Sequence, residues 1–179
     1  MQRGLFAILL VLTVALGAPY AAAFLNSIMG AWTATAYEHD GTVTVMQFGQ
    51  NLPRPDWVPE YPGATVVQAS RVVPAKSPGG VGFLDLATRA SLEDVKRFYG
   101  ERLAATGFSV HDEGTGPVNA ATARFLGIDG ILSGRRTATD DYIQVTINTP
   151  EGLIPSRLLQ LQWRKLSEWE RAVAEATRR

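Results

Sequence analysis

The apolar N-terminal segment constrains the fold most, because it is set apart from the residues that build the folded body. Arg3 is the only charged residue before Glu38, and a predominantly apolar run covers residues 5–18, with alanines at 21–23. A short positive end, an apolar run and small residues before a cleavage point are the three parts of an export signal. The segment therefore predicts export, and removing 23 of the 179 residues leaves 156 to fold.

This segment has two alternative fates. In the first, residues 1–23 are a signal peptide that is cleaved after the small side chains of Ala21 and Ala23. In the second, the uncharged stretch 5–25 remains as a membrane anchor, since a spanning helix needs about 20 apolar residues. Lone Arg3 favours a cytoplasmic N-terminus. The body is therefore expected to be periplasmic or otherwise extracytoplasmic after cleavage, or anchored in the inner membrane outside the cytoplasm.

Composition excludes several classes of protein. The 17 acidic and 17 basic residues balance, whereas a nucleic-acid binder presents a basic face. Cysteine is absent from the sequence, which excludes disulfides, a thiol nucleophile and thiolate metal sites. The remaining length suits one domain. Seventeen glycines and ten prolines predict many turns and short strands, not a helix bundle.

The N-terminal third divides into a hairpin and a connector. Residues 24–52 form a predicted hairpin or extension, because the Asp-Gly pair at 40–41 separates two runs of β-branched and aromatic residues. Residues 53–62 contain four prolines and predict a rigid connector. Trp57 and Tyr61 within it are expected to pin the connector over the core. The alternative is a proline-rich ligand for a partner domain.

Residues 63–150 form the predicted main domain, and its clearest element is one helix. Ser91 supplies an N-cap hydroxyl, acidic residues follow in the first turn, and apolar residues then recur every three to four positions. Gly107 is placed for the left-handed residue after the last turn, and Phe108 is expected to fold back on Leu103. Predicted strands flank this helix in the order β-β-α-β-β-β.

The C-terminal stretch 155–177 predicts an amphipathic helix. The apolar positions of that helix are Leu159, Trp163, Leu166, Trp169, Val173 and Ala176. Residues 158–163 also alternate with a period of two, so a strand remains open there. The elements together predict an α+β fold, with an antiparallel sheet of about four to six strands, one capped helix packed across it and this C-terminal helix.

Several structural residues carry a resemblance to a known class of domain. The Tyr-Pro-Gly-Ala turn at 61–64, Phe98-Tyr99, Leu103 and Gly107-Phe108 resemble the pattern of a small α+β domain in uncharacterised exported bacterial proteins. The resemblance covers about residues 59–148. It implies the fold and a bacterial envelope location, and it brings no catalytic residues with it.

The two histidines are the first candidates for chemistry. His39 with Asp40, and His111 with Glu113, would form an open metal site if the two groups met in space. Adjacent strand residues point to opposite faces, however, and polar residues collect at turns. We therefore expect no metal and no cofactor. An envelope hydrolase or metalloprotein using His39 or His111 is kept as the alternative.

Two further groups are candidates for interaction. Arg135 and Arg136 lie near a turn followed by an acidic pair, so they either clamp an anion or pair across the hairpin. Trp163, Leu166 and Trp169 would form an interaction surface on the C-terminal helix.

The sequence thus predicts a non-enzymatic binding or interaction module of the bacterial envelope. Its partner would be an envelope protein or small ligand and not nucleic acid. It would contact a membrane only if the first segment stays uncleaved, in which case a membrane-tethered assembly factor is the further alternative.

Overall fold

The computed structural model describes residues 31–37, 43–74, 80–116, 120–149, 156–167 and 170. These residues form eight strands and two helices. In chain order the elements are β1 (Trp32–Tyr37), β2 (Val43–Gly49), β3 (Thr65–Pro74), β4 (Val81–Thr88), α1 (Leu92–Ala105), β5 (Ser109–Asp112), α2 (Ala120–Phe125), β6 (Ile128–Arg136), β7 (Asp141–Asn148) and β8 (Arg157–Lys165).

All eight strands belong to one antiparallel sheet with the order β1-β2-β3-β4-β8-β7-β6-β5. The first four strands form one meander. The chain then crosses to the far edge through α1, and the last four strands form a second meander that returns to the centre. Strand β8 therefore pairs with both β4 and β7, which joins the two meanders in the middle of the sheet.

One face of the sheet, here called the core face, carries the hydrophobic core. In β7 the residues alternate between buried and partly exposed, with Ile143, Val145 and Ile147 buried. This confirms the alternation predicted for that segment. Their partners across β8 are Trp163, Leu161 and Leu159. Burial of each such side chain contributes about 1.5–3 kcal/mol, so the two central strands account for much of the core.

Helix α1 packs on the core face and begins as predicted. The Ser91 hydroxyl accepts a hydrogen bond from the backbone N–H of Asp94 at 3.1 Å, which satisfies one of the donors left free in the first turn. Val95, Tyr99 and Leu103 are fully buried on its inner face. These contacts confirm the predicted cap and the predicted apolar face.

The end of α1 also confirms its prediction. Gly107 has a φ of +86°, the left-handed conformation that a glycine adopts without a Cβ clash. The backbone N–H of Phe108 donates to the carbonyl of Leu103 at 3.1 Å, and that of Gly107 donates to Ala104 at 3.0 Å. This pair of bonds is a Schellman motif, and it turns the chain into β5.

The proline-rich connector lies against the core face. Val58 is buried within it. Trp57 contacts the ring of Phe108 with centroids 5.1 Å apart, and Tyr61 contacts that of Phe98 at 5.0 Å. The connector aromatics thus pin this segment over the core, as the sequence predicted.

The prediction of an α+β fold with four to six strands is wrong, because the protein is largely a sheet of eight strands. The hairpin predicted within 24–52 is present as β1 and β2, but these strands extend the main sheet. The helix predicted over 155–177 is wrong across residues 157–165, which form β8. Most of the remaining positions of that helix lie outside the described residues.

The predicted export segment, residues 1–23, lies outside the described residues, so both of its fates stay predictions. Among the residues described, no helix combines the length and apolar character required to cross a membrane.

Candidate functional site

A cavity of about 540 Å³ lies between the proline-rich connector and the end of the sheet where β6 turns into β7. This volume falls in the range of roughly 300–1,000 Å³ typical of small-molecule sites. The indole rings of Trp57 and Trp163 and the carboxylate of Asp141 line it. Its basic lining residues are Arg54, Arg71, Arg136, Arg164 and Lys165. We call it the cationic cavity.

The charges of the cavity do not balance among the described residues. Five cationic side chains face three carboxylates, so two positive charges are left uncompensated. The ion pairs, with their N–O distances, are Arg54–Glu60 (2.5 Å), Arg136–Asp141 (2.5 Å), Lys165–Asp141 (3.6 Å) and Arg164–Glu170 (2.5 Å). The excess charge gives the cavity a positive potential toward a diffusing ligand.

Arg136 has a structural role at the back of the cavity. Its guanidinium donates to Asp141 and, through Nη1, to the carbonyl of Thr106 at 3.3 Å. The same group lies 5.5 Å from the ring centre of Trp57 and 5.0 Å from that of Phe108. Arg136 thereby ties the C-terminal end of α1 and the connector to the sheet.

The carboxylate of Asp141 is held in its charged form. Burial alone would raise the pKa of Asp141, because it penalises the negative charge. Hydrogen bonds from Thr139 and Arg136, together with the positive charges of Lys165 and Arg136, outweigh that effect and lower the pKa of Asp141 below its usual value. The β6–β7 turn is therefore fixed by an ionised residue at neutral pH.

Arg71 differs from the other cations of the cavity. It is partly buried on β3, where its cross-strand neighbours are Gln47 and Gly82. No hydrogen bond or ion pair joins its guanidinium to any of the residues that the structure describes. Within the described part of the chain, none of the five N–H donors of this side chain is therefore taken.

Gly82 explains how an indole ring comes to lie beside Arg71. A Cβ atom on Gly82 would overlap the indole of Trp163, so the ring occupies the space that a side chain would take. Gly82 lies between Arg71 and Trp163 in the cross-strand register, and adjacent strands are about 4.8 Å apart. The indole ring thus lies over the strand position next to Arg71 on the core face, and both residues line the cavity.

Glu170, which follows β8, is held beside the cavity by its ion pair with the lining residue Arg164. Ser167 and Glu170 exchange reciprocal hydrogen bonds, with the N–H of Ser167 donating to Glu170 at 2.9 Å and the N–H of Glu170 to Ser167 at 3.3 Å. These two reciprocal bonds have the pattern of a capping box. The hydrogen bond from Arg164 and the backbone N–H of Ser167 lower the pKa of Glu170 to about 2.

The structure separates the histidine candidates. His111 is exposed on β5 opposite Ser133, and the Ser133 hydroxyl donates to Glu113 at 2.5 Å. The intervening Asp112 instead pairs with Lys96 on α1, so adjacent residues do diverge as expected.

No group of three or more His, Asp or Glu side chains in the described part of the chain is placed to hold a metal ion. His39 and Asp40 lie outside those residues.

The candidate interaction residues are likewise dispersed. Arg136 forms the cross-strand ion pair with Asp141, whereas Arg135 is on the opposite face, and its buried Nε has no hydrogen-bond partner among the described residues. Trp163 is only 9% exposed and belongs to the core. The N–H of Leu166 donates to the carbonyl of Asp140 at 2.8 Å. Trp169 lies outside the described residues.

Sequence reasoning missed Arg71 and the position of Trp57 in the wall of the cavity. The only local signal for Arg71 is a single charge in a run of otherwise uncharged residues, 64–73. That signal does not distinguish a cavity residue from an ordinary edge or surface residue, because the neighbours that matter come from β4, β8 and the connector.

A second cavity of about 730 Å³ lies at the Tyr-Pro-Gly-Ala turn and the end of β4. Most of its lining side chains are small or apolar, and Arg89 is the only charged residue among them. Arg89 is exposed. This cavity therefore offers fewer convergent polar groups than the cationic cavity.

No family model, curated protein or solved structure matches the chain. The resemblance to a domain of exported bacterial proteins therefore stays a prediction, and function is argued from the geometry of the cavity.

Proposed function

We propose that the protein is a non-enzymatic binding module of the bacterial envelope and that the cationic cavity is its site for a small ligand. One observation carries this proposal: the cavity combines the volume of a small-molecule site with two indole rings in its wall and Arg71, which has no partner among the described residues. Ligand pockets characteristically join apolar walls with a few convergent polar groups.

The walls of the cavity support binding without large rearrangement. Trp163 lies in the central strand β8, and Trp57 contacts both the ring of Phe108 and the guanidinium of Arg136. Sites built on such supported side chains lose little conformational entropy when a ligand binds. The envelope location rests on residues 1–23, which are predicted to direct export.

The binding proposal is tested with the indole N–H signals of the four tryptophans in ¹H–¹⁵N NMR spectra. The full chain is titrated with a library of small ligands, and Trp57→Phe and Trp163→Phe assign the two cavity signals. We expect ligands to shift these two signals while the signal of Trp32, which lies on β1 on the face of the sheet opposite Arg71, stays in place. Shifts confined to Trp32 or Trp169 would contradict the assignment of the site.

The location is tested by measuring the N-terminal mass of the protein from native soluble and membrane fractions. A chain starting at Phe24 in the soluble periplasmic fraction supports a free binding module, and an intact chain in the membrane fraction supports an anchored one. Recovery of the intact chain from the cytoplasm would overturn the envelope proposal.

A further inference from the structure

We infer that the ligand of the cationic cavity carries an oxyanion, a carboxylate or a phosphate monoester, that Arg71 binds, with a ring-shaped apolar body against Trp57 and Trp163. This inference rests on the proposed function and names the ligand class for that site. It follows from three properties of the cavity: its free hydrogen-bonding groups, its uncompensated charge and its aromatic walls.

The free side-chain groups of the cavity are donors. Arg71 has no partner among the described residues, and neither has the indole Nε1 of Trp57 or Trp163. The one carboxylate that lines the cavity, Asp141, already accepts from Arg136 and Thr139. A ligand that satisfies these donors must supply acceptors, and an oxyanion supplies several on one group.

The charge of Arg71 points to the same ligand. A partly buried guanidinium without a counter-ion carries a desolvation cost, which a bound oxyanion offsets. The guanidinium fork donates two parallel N–H bonds to carboxylate or phosphate oxygens, a geometry that a neutral ligand does not complete. The other four cations already have carboxylate partners, so Arg71 is the one available to the ligand.

The remaining walls indicate what the oxyanion is attached to. Trp57 and Trp163 present aromatic surface, and Pro53 and Pro55 line the connector side. Aromatic rings bind each other in stacked or edge-on arrangements that add to the burial of apolar area. A ring-bearing acid therefore fits the cavity better than a bare inorganic anion.

The test compares probes that differ in one property. The full chain is titrated with benzoate, phenyl phosphate, the neutral isostere benzamide and inorganic phosphate, again by the indole signals of Trp57 and Trp163. Benzoate and phenyl phosphate are expected to bind at least about tenfold more tightly than benzamide, which lacks the charge-assisted bonds. Inorganic phosphate is expected to bind more weakly than phenyl phosphate.

Variants then locate the oxyanion. Arg71→Gln should weaken benzoate binding about tenfold or more, and Arg71→Lys should restore part of it through charge without the fork. Arg102→Gln is the matched control, because Arg102 is exposed in the last turn of α1 and does not line the cavity. Thermal unfolding establishes that each variant is folded, and the benzamide comparison needs no variant at all.

The outcomes separate the two proposals. If benzamide shifts the cavity signals as strongly as benzoate and Arg71→Gln binds both like the wild type, the oxyanion inference is overturned while the cavity remains a ligand site. If no probe or library ligand shifts the signals of Trp57 and Trp163, the proposed function falls as well. Benzoate affinity that does not decrease with added salt would also contradict the role of Arg71.

Discussion

Asp85 allows a sharp test of the structure, because its charge disfavours the folded state at neutral pH. It is on β4, on the face opposite the core, between Gln68 and Gln160 of the neighbouring strands. Its own neighbours in sequence, Leu84 and Leu86, are buried on the core face. Burial raises the pKa of Asp85 from 3.8 to about 6, and a hydrogen bond with Gln160 only partly offsets this.

The sign and size of the effect follow from proton linkage. Below pH 3.8 the carboxyl is protonated in both states, and the folded protein carries no penalty. Between pH 3.8 and about 6 the folded state binds more protons than the unfolded state, so stability is lost as the pH rises. A difference of about two pKa units, at about 1.4 kcal/mol per unit, gives a loss of about 3 kcal/mol above pH 7.

Asp85→Asn removes the charge and keeps the shape and the hydrogen-bonding amide beside Gln160. We expect the variant to be more stable than the wild type by about 2–3 kcal/mol at pH 8 and nearly equal to it at pH 4. Urea unfolding followed by far-UV circular dichroism at pH 4, 5, 6 and 8 measures this difference. Asp56→Asn, at an exposed connector residue, is the control for the loss of one negative charge.

A gain that is the same at all four pH values would refute the reasoning, because only a titrating group produces the pH dependence. A variant less stable than the wild type at pH 8 would refute it as well, since Asp85 would then have a favourable charged partner. An equal gain in Asp56→Asn would assign the effect to net charge instead of to the position of Asp85.

Three further predictions concern α1 and are checked by urea unfolding. Ser91→Ala should lower the free energy of unfolding by about 1 kcal/mol, because the Asp94 N–H loses its acceptor, and Ser91→Thr should recover most of it. Gly107→Ala should lower the free energy of unfolding by about 1–2 kcal/mol, because alanine is strained at a φ of +86°. The strain is the only cost expected, because the nearest side-chain atom, Cδ of Arg136, lies 3.7 Å from the new Cβ and does not clash with it. Tyr99→Phe should leave stability unchanged or raise it by up to about 1 kcal/mol, because the buried hydroxyl makes no hydrogen bond of normal geometry with the described residues, the nearby backbone of Tyr61 included; a loss above about 1 kcal/mol would contradict this.

The features that the sequence predicted correctly depend on neighbouring residues. The cap at Ser91, the apolar face of α1 and the Schellman ending at Gly107 all form within one short segment. The alternation of β7 is also local, because successive strand residues point to opposite faces. Such features are recoverable from one sequence since propensity and pattern agree.

The errors came from choices that distant residues decide. Residues 158–163 fit both a helical and a strand period, and the position between β4 and β7 selects the strand. Leu159, Leu161 and Trp163 then face the core together, which a helix would not allow. The number of strands was underestimated for the same reason, since β8 joins two meanders that are far apart in sequence.

The cationic cavity lies at the edge of the hydrophobic core, where Trp57 and Trp163 form part of both. Gly82 makes room for the indole of Trp163, and the guanidinium of Arg136 contacts Trp57, Phe108 and the carbonyl of Thr106 at the end of α1. Arg71 remains beside this aromatic end without a partner among the described residues. Because the connector, β3 and β8 all contribute to the cavity, a bound ligand bridges elements that are distant in sequence. A ligand that binds only the folded state should raise the free energy of unfolding by mass action, by about 2.7 kcal/mol at a free concentration 100 times the Kd, which urea unfolding with and without benzoate measures.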